Sequence, residues 1–153
     1  MEKLNSRIKK LWISLGLFSG LLIGVLPAIY TYFYLENLLL SLISISLFPI
    51  IFIWYAVKRF ANWRFDVRED HIEIKKGVFI IVSIYAPYVR IQHIDTVRNP
   101  VSRILGLSSL RIYTAGSKGA DLTIPGLDKE KAEYIQEQLK QKAIQSEKGF
   151  DAV

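Results

Sequence analysis

The sequence predicts an α+β chain: an N-terminal two-helix transmembrane hairpin, then a small β-barrel or sandwich closed by one C-terminal amphipathic helix. Three observations predict it. Charge is segregated, with 6 charged side chains in residues 1–57 and the other 28 of 34 in residues 58–153. Two runs, 11–35 and 37–57, carry no charge at all. Beyond them, long apolar runs give way to short alternating ones separated by turn residues. The chain is 51% hydrophobic over 153 residues, with a mean hydropathy of +0.25. That combination excludes a simple soluble globule and a disordered chain, and leaves about 96 residues for one modest core.

Each uncharged run exceeds the roughly 20 residues needed to cross a bilayer. The first is too long for the h-region of a cleavable signal peptide and a second follows at once, so two spans are expected, at about 11–34 and 38–57. The short link at Glu36-Asn37 makes them an antiparallel hairpin. Lys3, Arg7, Lys9 and Lys10 precede the first span and Lys58, Arg59, Arg64 and Arg68 follow the second, while the link carries no basic residue. The positive-inside rule then puts both termini in the cytoplasm of a multi-pass cell-membrane protein. Gly16, Gly20 and Gly24 form a stripe at four-residue spacing along the first helix. Small residues let helix backbones approach closely in lipid, against the second helix of the hairpin or against another copy. Neither span holds a deep ionisable residue, so the hairpin is an anchor and not an ion pathway.

The expected division is 1–59 for the hairpin, 60–146 for the cytoplasmic domain and 147–153 for a frayed tail. Trp63, Phe65 and Val67 alternate with charged residues as a first strand, and Ile72 and Ile74 mark a second. Val78–Tyr85 reads as a continuous apolar third strand after the Lys76-Gly77 turn. Val89–Val97 makes a fourth. Asn99-Pro100 starts a short helix, with Gly106 as its left-handed terminator. Ser109–Thr114 is a fifth strand with Leu110 and Ile112 on one face and Arg111 on the other. Gly116-Ser117-Lys118-Gly119 resembles a phosphate loop but joins two strands, so it is a hairpin turn. Leu122–Ile124 is a sixth strand closed by Pro125-Gly126. A final helix from about Asp128, its cap, to Gln145 places Ala132, Ile135, Leu139 and Ala143 on one face.

Without cysteine there is no disulfide, thiolate zinc site or cysteine nucleophile. The two histidines, His71 and His93, lack metal-ligand spacing. His93 shares a strand face with Asp95, an arrangement read as exposed polar decoration over an acid–base dyad. No Gly-x-Ser-x-Gly elbow, His-Glu-x-x-His, phosphate loop or dinucleotide fingerprint occurs. No enzyme activity, cofactor or metal is expected, and the net charge of +6 is too diffuse for nucleic acid.

A strand-rich unit closed by a C-terminal helix suggests a pleckstrin-homology-like barrel. The run RIQHIDTVRNPVSRILGLSSLRIYTAG, from Arg90 to Gly116, resembles the hallmark segment of the YdbS-like bacterial PH-domain membrane protein family. Trp63-Arg64-Phe65, Lys76-Gly77-Val78, Ile124-Pro125-Gly126-Leu127 and the preceding hairpin match as well. The resemblance implies a membrane-anchored binding or scaffold protein engaging another membrane or cytoplasmic protein, a second copy included, in an envelope-stress or antimicrobial-resistance setting. The alternative is recognition of anionic lipid headgroups. Against it, the turn where lipid-binding PH domains carry basic residues reads Arg68-Glu69-Asp70-His71 here, and its carboxylates repel phosphate. Three residue sets are the candidates. Lys58, Arg59, Arg64 and Arg68 offer a membrane-surface or headgroup contact, at about 1 kcal/mol per cation near an anionic leaflet. Arg90, Gln92, Arg98 and Arg103 are motif positions that offer a polar site. Gly16, Gly20 and Gly24 offer a helix-packing or oligomer stripe.

Overall fold

In the computed structural model, which describes residues 1–116 and 122–150, the chain divides into two compact units. Lys9–Ala61 form one, and Met1–Ile8 with Asn62–Val153 form the other.

The first unit is a helical hairpin. Helices α1 (Ser6–Phe33) and α2 (Leu38–Asn62) are both long and apolar enough to cross a membrane. Glu36, at φ 47, turns the chain between them, and Asn37 caps α2 by accepting the Leu40 N–H at 3.1 Å. Most large apolar side chains of both helices are exposed, as a lipid solvent requires. Beyond Ile8, α1 buries Gly16, Gly20, Gly24 and Ala28. A Cβ at Gly20 would lie 2.5 Å from the Cα of Pro49, and those at Gly16 and Gly24 would lie 3.0 Å from the carbonyls of Phe52 and Ser44. The glycine stripe is therefore filled by α2 of the same hairpin. Ser44, Pro49 and Phe52 of α2 supply the contacts.

The second unit is a sandwich of two three-stranded antiparallel sheets. Strands β1 (Arg64–Val67), β2 (His71–Lys76) and β3 (Val82–Pro87) form one in that order. Strands β4 (Ile91–Val97), β5 (Leu107–Thr114) and β6 (Leu122–Asp128) form the other. Period-two alternation sends Phe65, Ile72, Ile74, Leu110, Ile112, Leu122 and Ile124 into the shared core, each no more than 1% exposed. Helix α4 (Lys129–Phe150) covers it with Ala132, Ile135 and Leu139, while Ala143 is half-buried. Between β4 and β5, helix α3 (Pro100–Ile104) starts as expected, Asn99 accepting the Ser102 N–H at 2.7 Å, and ends at Gly106 with φ 66.

Several boundaries differ from the sequence reading: Val89 and Arg90, read as strand, belong to a 3₁₀ turn, and β5 starts two residues early, at Leu107. The apolar run 78–81 is not strand. Gly77 takes φ 130, the register resumes at Lys76↔Val82, and the intervening residues form a loop. Pro125-Gly126 does not close β6: Gly126, at φ 65, lies inside the strand, whose register with β5 shifts between Ser108 and Leu110. Asp128 ends β6, and its carboxylate accepts both bonds from Asn5 Nδ2, at 2.9 and 2.7 Å. Helix α4 runs to Phe150, past the expected fraying point. The turn holding Ser117–Gly119 lies outside the described residues.

Met1–Ile8, expected to belong with the hairpin, cluster with the domain. Glu2 pairs antiparallel with Phe65 of β1 through two backbone bonds of 2.7 and 3.1 Å. Three residues on, the Asn5 N–H donates to Gly126 of β6 at 3.2 Å. Leu4 and Ile8 are buried. This segment thus laces the first sheet to the second along the edge where β1 and β6 would otherwise stand open.

Candidate functional site

The opposite edge of the sandwich is less closed. The chain crosses from β3 to β4 through a 3₁₀ turn, Tyr88–Arg90, whose Tyr88 ring is buried and whose hydroxyl donates to the Arg68 carbonyl at 2.7 Å. Helix α4 packs against this turn and against β4. Where they diverge they leave a groove of about 400 Å³. Val89, Ile91, Ala143 and Ile144 supply apolar walls, and Gln92, His93, Lys140 and Glu147 supply polar groups. Among the described residues β4 has no strand on its outer side. Helix α4 secures one end of that edge: Gln136 Nε2 donates to the Ile94 carbonyl at 2.8 Å, and its Oε1 accepts from Thr96 at 3.0 Å. Gln92 and His93, at the other end, are exposed at a register irregularity. An edge strand with an apolar wall beside it is a surface on which an extended peptide can pair.

His93 Nε2 lies 2.5 Å from Asp95 Oδ1, so the same-face pair forms, with the imidazole largely exposed. Tyr113, across the ladder, packs against the ring at 5.8 Å.

The first basic set is largely committed to internal work. Arg68 bridges two carboxylates, Asp66 at 3.6 Å and Glu73 at 3.1 Å. Asp66 and Glu73 face each other in the β1–β2 register, and Glu73 is only 6% exposed. Two like charges opposed across a ladder repel, and Arg68 between them removes the repulsion. Arg64 donates to the neighbouring Trp63 carbonyl at 2.7 Å. Arg59 lies over the Trp12 ring at 4.4 Å, a cation–π contact inside the hairpin. Lys58 is exposed on α2. The adjoining turn stays acidic: Asp70, its carboxyl held below the usual range by the hydrogen bond to His71, remains charged.

The second set is split. Arg90 and Gln92 stand at the start of β4, and Arg98 and Arg103 lie past its end, roughly 20 Å away at 3.3 Å per residue. Arg98 Nε donates at 2.8 Å to the hydroxyl of fully buried Ser108, and Arg103 is exposed in the last turn of α3. Only Gln92 lines the groove. The groove itself went unread because it needs α4 and β4 side by side, about 40 residues apart in sequence. The one available signal was Gln136, a polar residue between the buried positions Ile135 and Leu139.

A family model described as "Bacterial PH domain" matches residues 13–143. Among curated proteins, the chain is 29% identical over 116 residues to the UPF0699 transmembrane protein YdbS of Bacillus subtilis (strain 168), covering 76% of this chain and 62% of that protein. It is also 29% identical over 132 residues to the UPF0699 transmembrane protein YdbT of the same organism, covering 83% of this chain and 27% of that one. The chain thus spans less than two thirds of either relative. No solved structure matches.

Proposed function

This chain belongs to the bacterial PH domain family, and from that premise we propose that it is a non-enzymatic, membrane-anchored binding or scaffold protein whose domain engages an extended segment of another membrane or cytoplasmic protein. The groove between β4 and α4 carries the reading. It presents the outer edge of a strand and four apolar wall residues, with one cation and one carboxylate, Lys140 and Glu147, among its lining. Backbone pairing supplies affinity in such a mode, and the wall residues supply selectivity. Both termini and the domain lie on the cytoplasmic side in this reading, on the strength of the basic residues flanking the spans.

Headgroup recognition at the Arg68 turn is disfavoured. Arg68 is tied to Asp66 and Glu73, and Glu69 and Asp70 keep the turn acidic.

The test is site-specific photo-crosslinking in native membranes. A photoreactive residue at Val89 or Ile144 should trap one common protein species, whereas one at Arg111, on the outer face of β5, should not. Ile144→Asp should abolish the crosslink from Val89 without lowering the domain's thermal stability. Equal trapping from all three positions, or none from Val89 and Ile144, would sink the groove reading.

A further inference from the structure

The loop between β2 and β3 exposes apolar surface that the groove does not use. Phe79 and Ile80 are 80% and 79% exposed, and Ile81 and Val82 are 54% and 44% exposed. Four consecutive exposed apolar side chains are unfavourable in water and mark an interaction surface. The loop is built to hold them outward. Gly77 at its base takes φ 130, and a Cβ there would fall 1.8 Å from the Ile80 carbonyl oxygen, so the backbone folds back on itself in a way only glycine permits.

Its position follows from register. Arg64 pairs with Lys75, and Lys76 with Val82, so the loop emerges at the sheet end where β1 begins. The chain arrives there from Asn62, the last residue of α2. Two residues of chain, one ladder spacing and two more residues keep the loop base within roughly 20 Å of Asn62. A bilayer holding α2 is therefore within reach of the loop tip. Lys75 and Lys76, at the base of the loop, match the anionic headgroup layer above an apolar insertion. A second apolar point lies on α3, where Ile104 is 86% exposed. There, Arg7 Nη1 donates to the Leu105 carbonyl at 3.4 Å, two residues before Lys9, where the chain leaves the domain for the first span.

We propose that the Phe79–Ile81 loop inserts into the interfacial layer of the bilayer that holds the hairpin, with Ile104 as a second lipid contact, so that the domain is docked on the membrane and not merely tethered to it. This is independent of the groove reading.

The sequence contains no cysteine, so single labels are clean. Ile80→Cys, Ile104→Cys and, as a control, Arg111→Cys are each labelled with bimane in the full chain. They are reconstituted in phosphatidylcholine–phosphatidylglycerol vesicles with and without shallow doxyl-labelled lipid. The expected result is several-fold stronger doxyl quenching at Ile80 and Ile104 than at Arg111, retained in high salt because apolar contact is not screened. Quenching at Ile80 no greater than at Arg111 overturns the proposal. So does a blue-shifted but unquenched Ile80 label, which would mean protein covers the loop. Quenching lost in high salt would mean surface attraction by Lys75 and Lys76 without insertion, and overturns it as well. All three positions are exposed, and unchanged thermal unfolding of each variant shows that the readout reports location.

Discussion

Tyr88 gives a direct handle on how a single side chain ties the two sheets. Its hydroxyl donates to the Arg68 carbonyl, its N–H donates to the Asp70 carbonyl at 3.2 Å, and its ring is 1% exposed. Burial pushes the phenol up to about 12, with the Asp70 and Asp66 carboxylates adding to the shift. A phenol that holds its proton more tightly when folded contributes stability that is fully present below its ordinary value of 10.0. That contribution is lost as pH rises through the folded value, because the unfolded chain then binds fewer protons. Urea denaturation should therefore show stability falling between pH 10 and about 12. Tyr88→Phe should cost about 1 kcal/mol at neutral pH for the lost hydrogen bond and should flatten that fall. A Tyr88→Phe variant with the parent's alkaline slope would assign the titration to another group.

At the scale of the element, strand β5 tests whether period-two reading assigns faces correctly. Ile112 is fully buried and Arg111, its neighbour, is exposed. Ile112→Ala should destabilise the chain by about 2–5 kcal/mol, transfer and cavity costs together. Arg111→Ala should stay within about 0.5 kcal/mol. Thermal or chemical unfolding of both variants checks this, and equal stabilities would reverse the assigned faces. The hairpin makes a sharper demand. Because a Cβ at Gly20 would sit 2.5 Å from Pro49, Gly20→Ile cannot be absorbed without parting α1 from α2. The expected outcome is poor insertion or rapid degradation of the variant. A variant that inserts normally and loses only an oligomer would return the glycine stripe to a contact between copies.

For the whole molecule the prediction concerns sidedness. In the proposed topology, basic residues before the first span and after the second, with none between, predict Asn37 outside and the domain inside. Single cysteines at Asn37 and at Ser83, an exposed β3 position, report this through labelling with an impermeant maleimide in intact cells. Asn37 should label and Ser83 should label only after lysis. The reverse pattern would invert the topology and remove the cytoplasmic partner from the proposal. It would leave membrane insertion of the 79–81 loop untouched, since that depends only on which end of the sheet the loop shares with the incoming chain.

Hairpin, strand alternation, the Asn99 cap and the buried face of α4 are all legible in the sequence, because each depends on residues a few positions apart and on local periods of 2 or 3.6. The family was legible too, in the run from Arg90 to Gly116. What stayed hidden depends on neighbours far apart in sequence. Arg68 looked like a free cation until β1 and β2 set Asp66 against Glu73 and gave it two carboxylates to hold. Asp128 looked like a helix cap until Asn5, 123 residues away, claimed its carboxylate. The run 78–81 looked like strand because composition cannot distinguish an apolar segment that pairs from one that a glycine at positive φ turns out of the ladder. The lacing of β1 to β6 by Met1–Ile8, and the groove left where β4 parts from α4, exist only once chain closure has chosen which edges meet. Local pattern states what each segment prefers to bury; only long-range packing settles which segment receives it.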